Sequence, residues 1–162
     1  MVKGWDQFQY YSKGLLDVAS FDGKLYALPT DTDVRMVARH RGHILLMASL
    51  TGYVGLPTAA SYGATKAALI SIAQAFKPDF ERFGVTISVI NPGFVKTPLT
   101  DKNEFPMPFL IQVDKAVDHI LRGIERKQFE IAFPWQMSFL IHLLASFPNW
   151  LKFAVTRRML PH

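Results

Sequence analysis

Two stretches of the chain are almost continuously apolar, His43–Ala48 and Val85–Ile90. Short runs of this kind suit strands covered on both faces of a sheet. Between them, from about Ala60 to Arg82, the apolar residues return at helical spacing. Ala64, Ala67, Ala68, Ile72, Ala75 and Phe76 predict one broad inward face. Pro78 predicts a kink or a new cap, and Gly84 the end of that helix. Asn91-Pro92-Gly93 should break the second strand, and Thr97–Pro108 reads as a loop rich in proline and charge. Asp114–Lys127 predicts an amphipathic helix with Val117, Ile120, Leu121 and Ile124 inward, and Phe129–Phe133 a third strand. Strand, helix, strand, helix, strand is a βαβ series. The expected fold class is therefore α/β: a partial, parallel sheet of about three strands with flanking helices and right-handed crossovers.

The ends of the chain differ from this middle. Met1–Arg35 is polar and aromatic, with 4 basic and 5 acidic residues, whereas the rest holds 14 basic and 8 acidic. Asp22-Gly23 is a turn signal, and Lys24–Leu28 alternates like a short strand that stops at Pro29. At the other end, Ile131–Leu151 carries no Asp, Glu, Lys or Arg. Pro134 and Pro148 leave about a dozen residues for a helix between them, roughly 18–20 Å against the ~30 Å of a bilayer core, so a span is not expected. Ser138, His142, Ser146 and Asn149 form one narrow polar stripe on this apolar helix. Such a helix suits burial against a core, a partner subunit or a bilayer surface, and peripheral membrane contact is one expectation.

Composition narrows the function classes. The 162 residues are 49% hydrophobic and 19% charged, which excludes a disordered tail and suits one domain. The absence of cysteine excludes disulfides, thiolate metal sites and a cysteine nucleophile in this sequence. With no apolar segment in Met1–Tyr11, the cytoplasm is the expected compartment. The net charge of +5 is spread out, and the one small basic cluster (Arg39, His40, Arg41, His43) reads as a solvated helix end. Nucleic acid is not an expected partner. The five histidines show no metal-ligand spacing, so no metal site is expected.

Tyr62 and Lys66 are four apart on the long predicted helix, so both leave one face. Ser49 lies just past the first buried strand, and parallel sheets present their sites at these carboxyl ends. The three groups suit proton transfer to or from an alcohol. A free tyrosine, with a pKa of about 10, is a poor acid–base at neutral pH, and an ammonium one turn away stabilises its phenolate. A Tyr-x-x-x-Lys pair alone is common. Ser49 before it, and Asn91-Pro92-Gly93 with Thr97 after the next strand, make the pattern more specific.

Together, Ser49, Ser61-Tyr-Gly-Ala-Thr-Lys-Ala-Ala68 and Asn91-Pro-Gly-Phe-Val-Lys-Thr97 resemble the short-chain dehydrogenase/reductase family, from about Val37 to the C-terminus. The resemblance implies a Rossmann-like fold and an NAD- or NADP-dependent oxidoreductase acting on a small carbonyl or alcohol. It implies Tyr62 as acid–base, Lys66 supporting it and holding the nicotinamide ribose, and Ser49 orienting the substrate. Pro92, Gly93 and Thr97 would meet the nicotinamide amide. The family commonly forms oligomers through the helix carrying Tyr62, so a homo-oligomer is expected.

The sequence departs from the family in its first part. The opening strand and its turn, Thr-Gly-x-x-x-Gly-x-Gly, whose amides hold the pyrophosphate, are not in this sequence. The nearest string, Thr51-Gly52-Tyr53-Val54-Gly55, has the wrong spacing and reads as the loop after the Ser49 strand. Residues 11–35 are instead similar to a piece of the sugar-binding proteins of ABC transporters. The expectation is a chimera: residues 1–36 of different origin, and residues 37–162 a truncated dehydrogenase-like domain. Cofactor binding and turnover are expected to be impaired. The alternative is an inactive α/β fold or interaction module that retains the triad. An apolar strand edge left unpaired invites association, and Lys24–Leu28 is expected to cover it, or a second copy to pair across it.

Overall fold

The computed structural model describes residues Ser20–Phe21, Lys24–Leu25, 40–98, 100–102 and 106–159. Most of the segment assigned a different origin therefore lies outside the described residues. Its described part is two short strands, β1 (Ser20–Phe21) and β2 (Lys24–Leu25), paired antiparallel with Phe21 opposite Lys24. The pairing corrects one expectation. Lys24 and Leu25 pair with β1 in a separate sheet and do not cover the edge of the main one.

The main sheet has three strands, β3 (Gly42–Met47), β4 (Val85–Pro92) and β5 (Glu130–Phe133), in the order β3-β4-β5 and all parallel. This is the expected α/β class. Helix α1 (Ala60–Arg82) makes the first crossover and α2 (Val113–Glu125) the second. The uninterrupted apolar run marks a fully covered strand in β4, where Val85, Ile87, Val89 and Ile90 are buried. It does not in β3, where Leu45 and Met47 are exposed. The difference is position: β4 is central and β3 is an edge, with one face of its pleat uncovered.

Helix α1 passes Pro78 without a break. Its inward side is turned from the expected one. Ile70, Ala73 and Phe80 are buried against β4, whereas Ala64, Ala68 and Ala75 are exposed. Alanine fits either side of a helix, so a face drawn mainly through alanines has little power to fix the rotation. Gly84 ends the helix as expected, at φ 65°, with its N–H donating to the Glu81 carbonyl. A Cβ there would come within 2.7 Å of the His40 carbonyl oxygen. In α2 the inward residues are Ala116, Ile120, Gly123 and Ile124, while Val117 and Leu121 point outward. Gly123 lets the helix seat on Ile131, whose side chain a Cβ would meet at 2.6 Å.

The apolar tail forms α3 (Trp135–Ser146), which fills the dozen residues expected between Pro134 and Pro148, and then α4 (Asn149–Thr156). Phe147 is extended (ψ 153°), the conformation imposed on a residue before proline, and Pro148 is extended as well (ψ 154°) as the cap of α4. Ile141 and Leu144 turn inward onto Leu50 and Val54. No described helix is long and apolar enough to cross a membrane, and the described residues give no support to the expected peripheral membrane contact.

His43 ties the edge strand to the centre. Its Nε2 lies 2.6 Å from Ser88 Oγ, and Ser88 donates in turn to the Gln128 carbonyl at 2.5 Å. With the Ser88 proton so used, His43 is the donor. Burial, and then the charge of Lys127, hold the imidazole pKa below its ordinary value of 6.5. The unfolded chain then binds the proton more readily than the folded one. Stability should fall as pH drops below 6.5, and this loss should shrink in His43→Asn. Urea unfolding of both proteins across that range measures it.

Candidate active site

The chain leaves β3 at Met47 and turns through a short 3-10 helix, Leu50–Gly52, before entering α1. Ser49 caps that turn. Its Oγ accepts from the Thr51 N–H at 3.3 Å and from Thr51 Oγ1 at 3.1 Å, and donates to the Pro92 carbonyl at 3.4 Å. The residue is 6% exposed. The turn sits tightly on the start of α1. A Cβ on Gly52 would fall 2.7 Å from Ile70 Cδ1 and 3.0 Å from the Ala67 nitrogen. Thr51-Gly52-Tyr53-Val54-Gly55 is thus packing material beside the site, as its spacing predicts.

Tyr62 and Lys66 occupy the first two turns of α1. The Lys66 ammonium lies over the Tyr62 ring, 5.5 Å from its centroid, and donates to the Met47 carbonyl at 2.9 Å. Lysine has three N–H donors, so this bond commits one of them. Tyr62 is half exposed, with its hydroxyl-bearing ring at the open side of the helix. Lys66 is therefore anchored two residues before Ser49, at the carboxyl end of the edge strand.

Asn91, Pro92 and Gly93 close the carboxyl end of β4. The Pro92 carbonyl meets Ser49, and the Gly93 N–H donates to the Phe133 carbonyl at 2.7 Å. A Cβ on Gly93 would meet Met137 and Pro134 at 3.2 Å, so α3 packs directly against this turn. Thr97 is engaged with Thr100. Its Oγ1 lies 3.3 Å from Thr100 Oγ1 and caps the 3-10 helix Thr100–Lys102 by accepting from the Thr100 N–H.

A second polar cluster lies beside the Ser49 turn and is absent from the sequence reading. Tyr53 donates to Glu130 Oε1 at 2.8 Å, Asn91 Nδ2 donates to the same oxygen at 2.8 Å, and His142 Nε2 approaches it at 3.3 Å. Burial, followed by the hydrogen bond and charge of Glu130, pushes the Tyr53 phenol far above its ordinary range, so it stays a donor. The signal that points to this cluster in the sequence is a lone glutamate opening an otherwise apolar strand. Among the described residues no group of side chains could hold a metal ion.

Residues 28–106 match the family model of the short chain dehydrogenases. Over this stretch, the chain is similar to the short chain dehydrogenases. The match contains Ser49, Tyr62, Lys66, Pro92, Gly93 and Thr97. It begins before the boundary expected between residues 36 and 37, and the likeness of residues 11–35 to sugar-binding proteins gains no support from the comparisons. An uncharacterized oxidoreductase of Myxococcus xanthus is 41% identical over 125 residues, covering 77% of this chain and 49% of that protein. One from Staphylococcus epidermidis is 36% identical over 123 residues, covering 76% and 50%. A short chain dehydrogenase of Burkholderia cenocepacia, solved in complex with NADP, superposes with a TM-score of 0.64 at 22% identity, covering 76% of this chain and 50% of that one. That likeness shows the fold. The chain spans about half the length of the curated relatives it matches.

Proposed function

We propose that residues 37–162 form the catalytic half of an NAD- or NADP-dependent oxidoreductase that exchanges a hydride with a small carbonyl or alcohol. Tyr62 is the acid–base, Lys66 holds its phenolate form and the nicotinamide ribose, and Ser49 orients the substrate oxygen. The observation that carries this reading is the convergence at the carboxyl ends of β3 and β4. Lys66 lies over the Tyr62 ring and bonds the Met47 carbonyl, two residues from a Ser49 whose hydroxyl bonds the Pro92 carbonyl.

The residues fit one end of a dinucleotide. Lys66 keeps donors for ribose hydroxyls, and the Pro92–Gly93 turn lies beside Ser49 on the same edge. Thr97 is the weakest of the four candidates, because its hydroxyl already serves Thr100. When bound, the dinucleotide supplies or accepts the hydride. The glycine-rich turn for the pyrophosphate is not in this sequence, so the proposal includes weak binding. The same absence favours a second reading, an inactive α/β module that retains the triad. A homo-oligomer and a cytoplasmic setting belong to the first reading.

Titration with NADPH and NADH, followed by nicotinamide fluorescence, separates the two readings. Saturable binding in the millimolar range, lost in Lys66→Ala, is the expected result. A flat titration with either dinucleotide overturns the enzyme reading.

A further inference from the structure

We propose that Glu130 is a positioning residue for the reacting side of this site, because one carboxylate oxygen gathers Tyr53, Asn91 and His142 and so locks the Ser49 turn to the Pro92–Gly93 turn. The inference rests on the reading of those two turns as the reacting side.

The two turns leave different strands, and among the described residues the direct hydrogen bond between them is Ser49 Oγ to the Pro92 carbonyl at 3.4 Å. That bond is long, near the limit at which hydrogen bonding is still useful. The second tie runs through Glu130. Tyr53 is the residue that closes the Ser49 turn, with its N–H donating to the Leu50 carbonyl at 3.2 Å. Its hydroxyl reaches Glu130 Oε1 at 2.8 Å. Asn91, fully buried, immediately precedes Pro92 and reaches the same oxygen at 2.8 Å and the Tyr53 hydroxyl at 3.1 Å.

The Asn91 amide has no other fixed point. Its Oδ1 is buried without a hydrogen-bond partner among the described residues, so the Nδ2 bonds alone set its plane. Turning the amide over would aim Oδ1 at a carboxylate oxygen, which repels it. Without the Glu130 acceptor, buried Asn91 Nδ2 would keep one bond, the longer one to the Tyr53 hydroxyl, and that hydroxyl would lose its own acceptor, a costly arrangement. His142 closes the cluster from α3. Its Nε2 stands 3.3 Å from Oε1, and its ring packs on Tyr53 with centroids 4.4 Å apart. The carboxylate thus joins the Ser49 turn, the end of β4 and α3 at one atom.

The test compares Glu130→Gln, Glu130→Leu and Tyr53→Phe in the full chain. Amide resonances of Gly93 and of the Asn91 side chain are followed by nuclear magnetic resonance, with the β4 amide of Ile87, which pairs with Ile44, as the control for the fold. Glutamine retains an oxygen acceptor, so Glu130→Gln should keep the Asn91 and Gly93 signals near their native positions. Glu130→Leu should displace both and speed Gly93 amide exchange about tenfold, with Ile87 unmoved. Tyr53→Phe, which removes one hydroxyl, should shift the Asn91 signal and serves if the leucine variant does not fold. Unchanged Asn91 and Gly93 signals in the leucine variant, or in Tyr53→Phe in its place, overturn the inference. A glutamine variant as perturbed as the leucine one does so too. None of these readouts needs bound dinucleotide. A flat NADPH titration beside the expected resonance shifts therefore sinks the enzyme reading and leaves the tie between the turns standing.

Discussion

Phe133→Ala is expected to cost about 3–5 kcal/mol, a large share of the roughly 5–15 kcal/mol that holds a domain of this kind together. Phe133 is 1% exposed and is the largest of the fully buried side chains. It packs with Ile90, Ala116 and Ile131 where β5 meets α2, and its ring stacks on His119 with centroids 5.3 Å apart. Its carbonyl also receives the Gly93 N–H, so the site's second turn rests on this residue. Truncation leaves a cavity between the sheet and α2, where Phe133 packs. Urea unfolding of the two proteins measures the difference. A loss below about 1 kcal/mol would place the core elsewhere.

Tyr62→Phe should have the opposite signature. The ring is half exposed, so losing its hydroxyl is expected to change stability by less than about 0.5 kcal/mol. Hydride exchange should fall by roughly 10²–10⁴-fold, the usual worth of a positioned acid–base group. Phenylalanine keeps the ring under the Lys66 ammonium, so the fall isolates the proton-bearing oxygen. Melting curves and turnover measured on the same preparation separate the two effects.

What could be read from the sequence follows from what a one-dimensional pattern encodes. Strands β3, β4 and β5 and helices α1 and α2 stand where apolar runs and helical spacing put them, within a few residues. The rotation of α1 was not readable, because alanine at 64, 68 and 75 is compatible with either face. Nor was the one-sided exposure of β3, since whether a strand is central or at an edge depends on its neighbours. In the tail, Pro134 and Pro148 bound α3 as the sequence indicates, but the pattern does not report which apolar residues stay outside: Trp135, Phe139 and Leu143 are exposed while Ile141 and Leu144 are buried. Within the site, the motif spacing indicated Ser49, Tyr62 and Lys66. The tie through Tyr53, Asn91, Glu130 and His142 joins residues 38 to 77 positions apart for its hydrogen bonds, and no local pattern reports it.

The central claim is that Tyr62, Lys66 and Ser49 act together on a carbonyl or alcohol. The most direct measurement is the loss of NADPH absorbance, at millimolar NADPH and high protein concentration, on adding a panel of small ketones and aldehydes. Oxidation by the native chain with at least one carbonyl, abolished in Tyr62→Phe, is the predicted result. Oxidation at the same rate in both proteins, or none in the native chain while NADPH binds saturably, would contradict it.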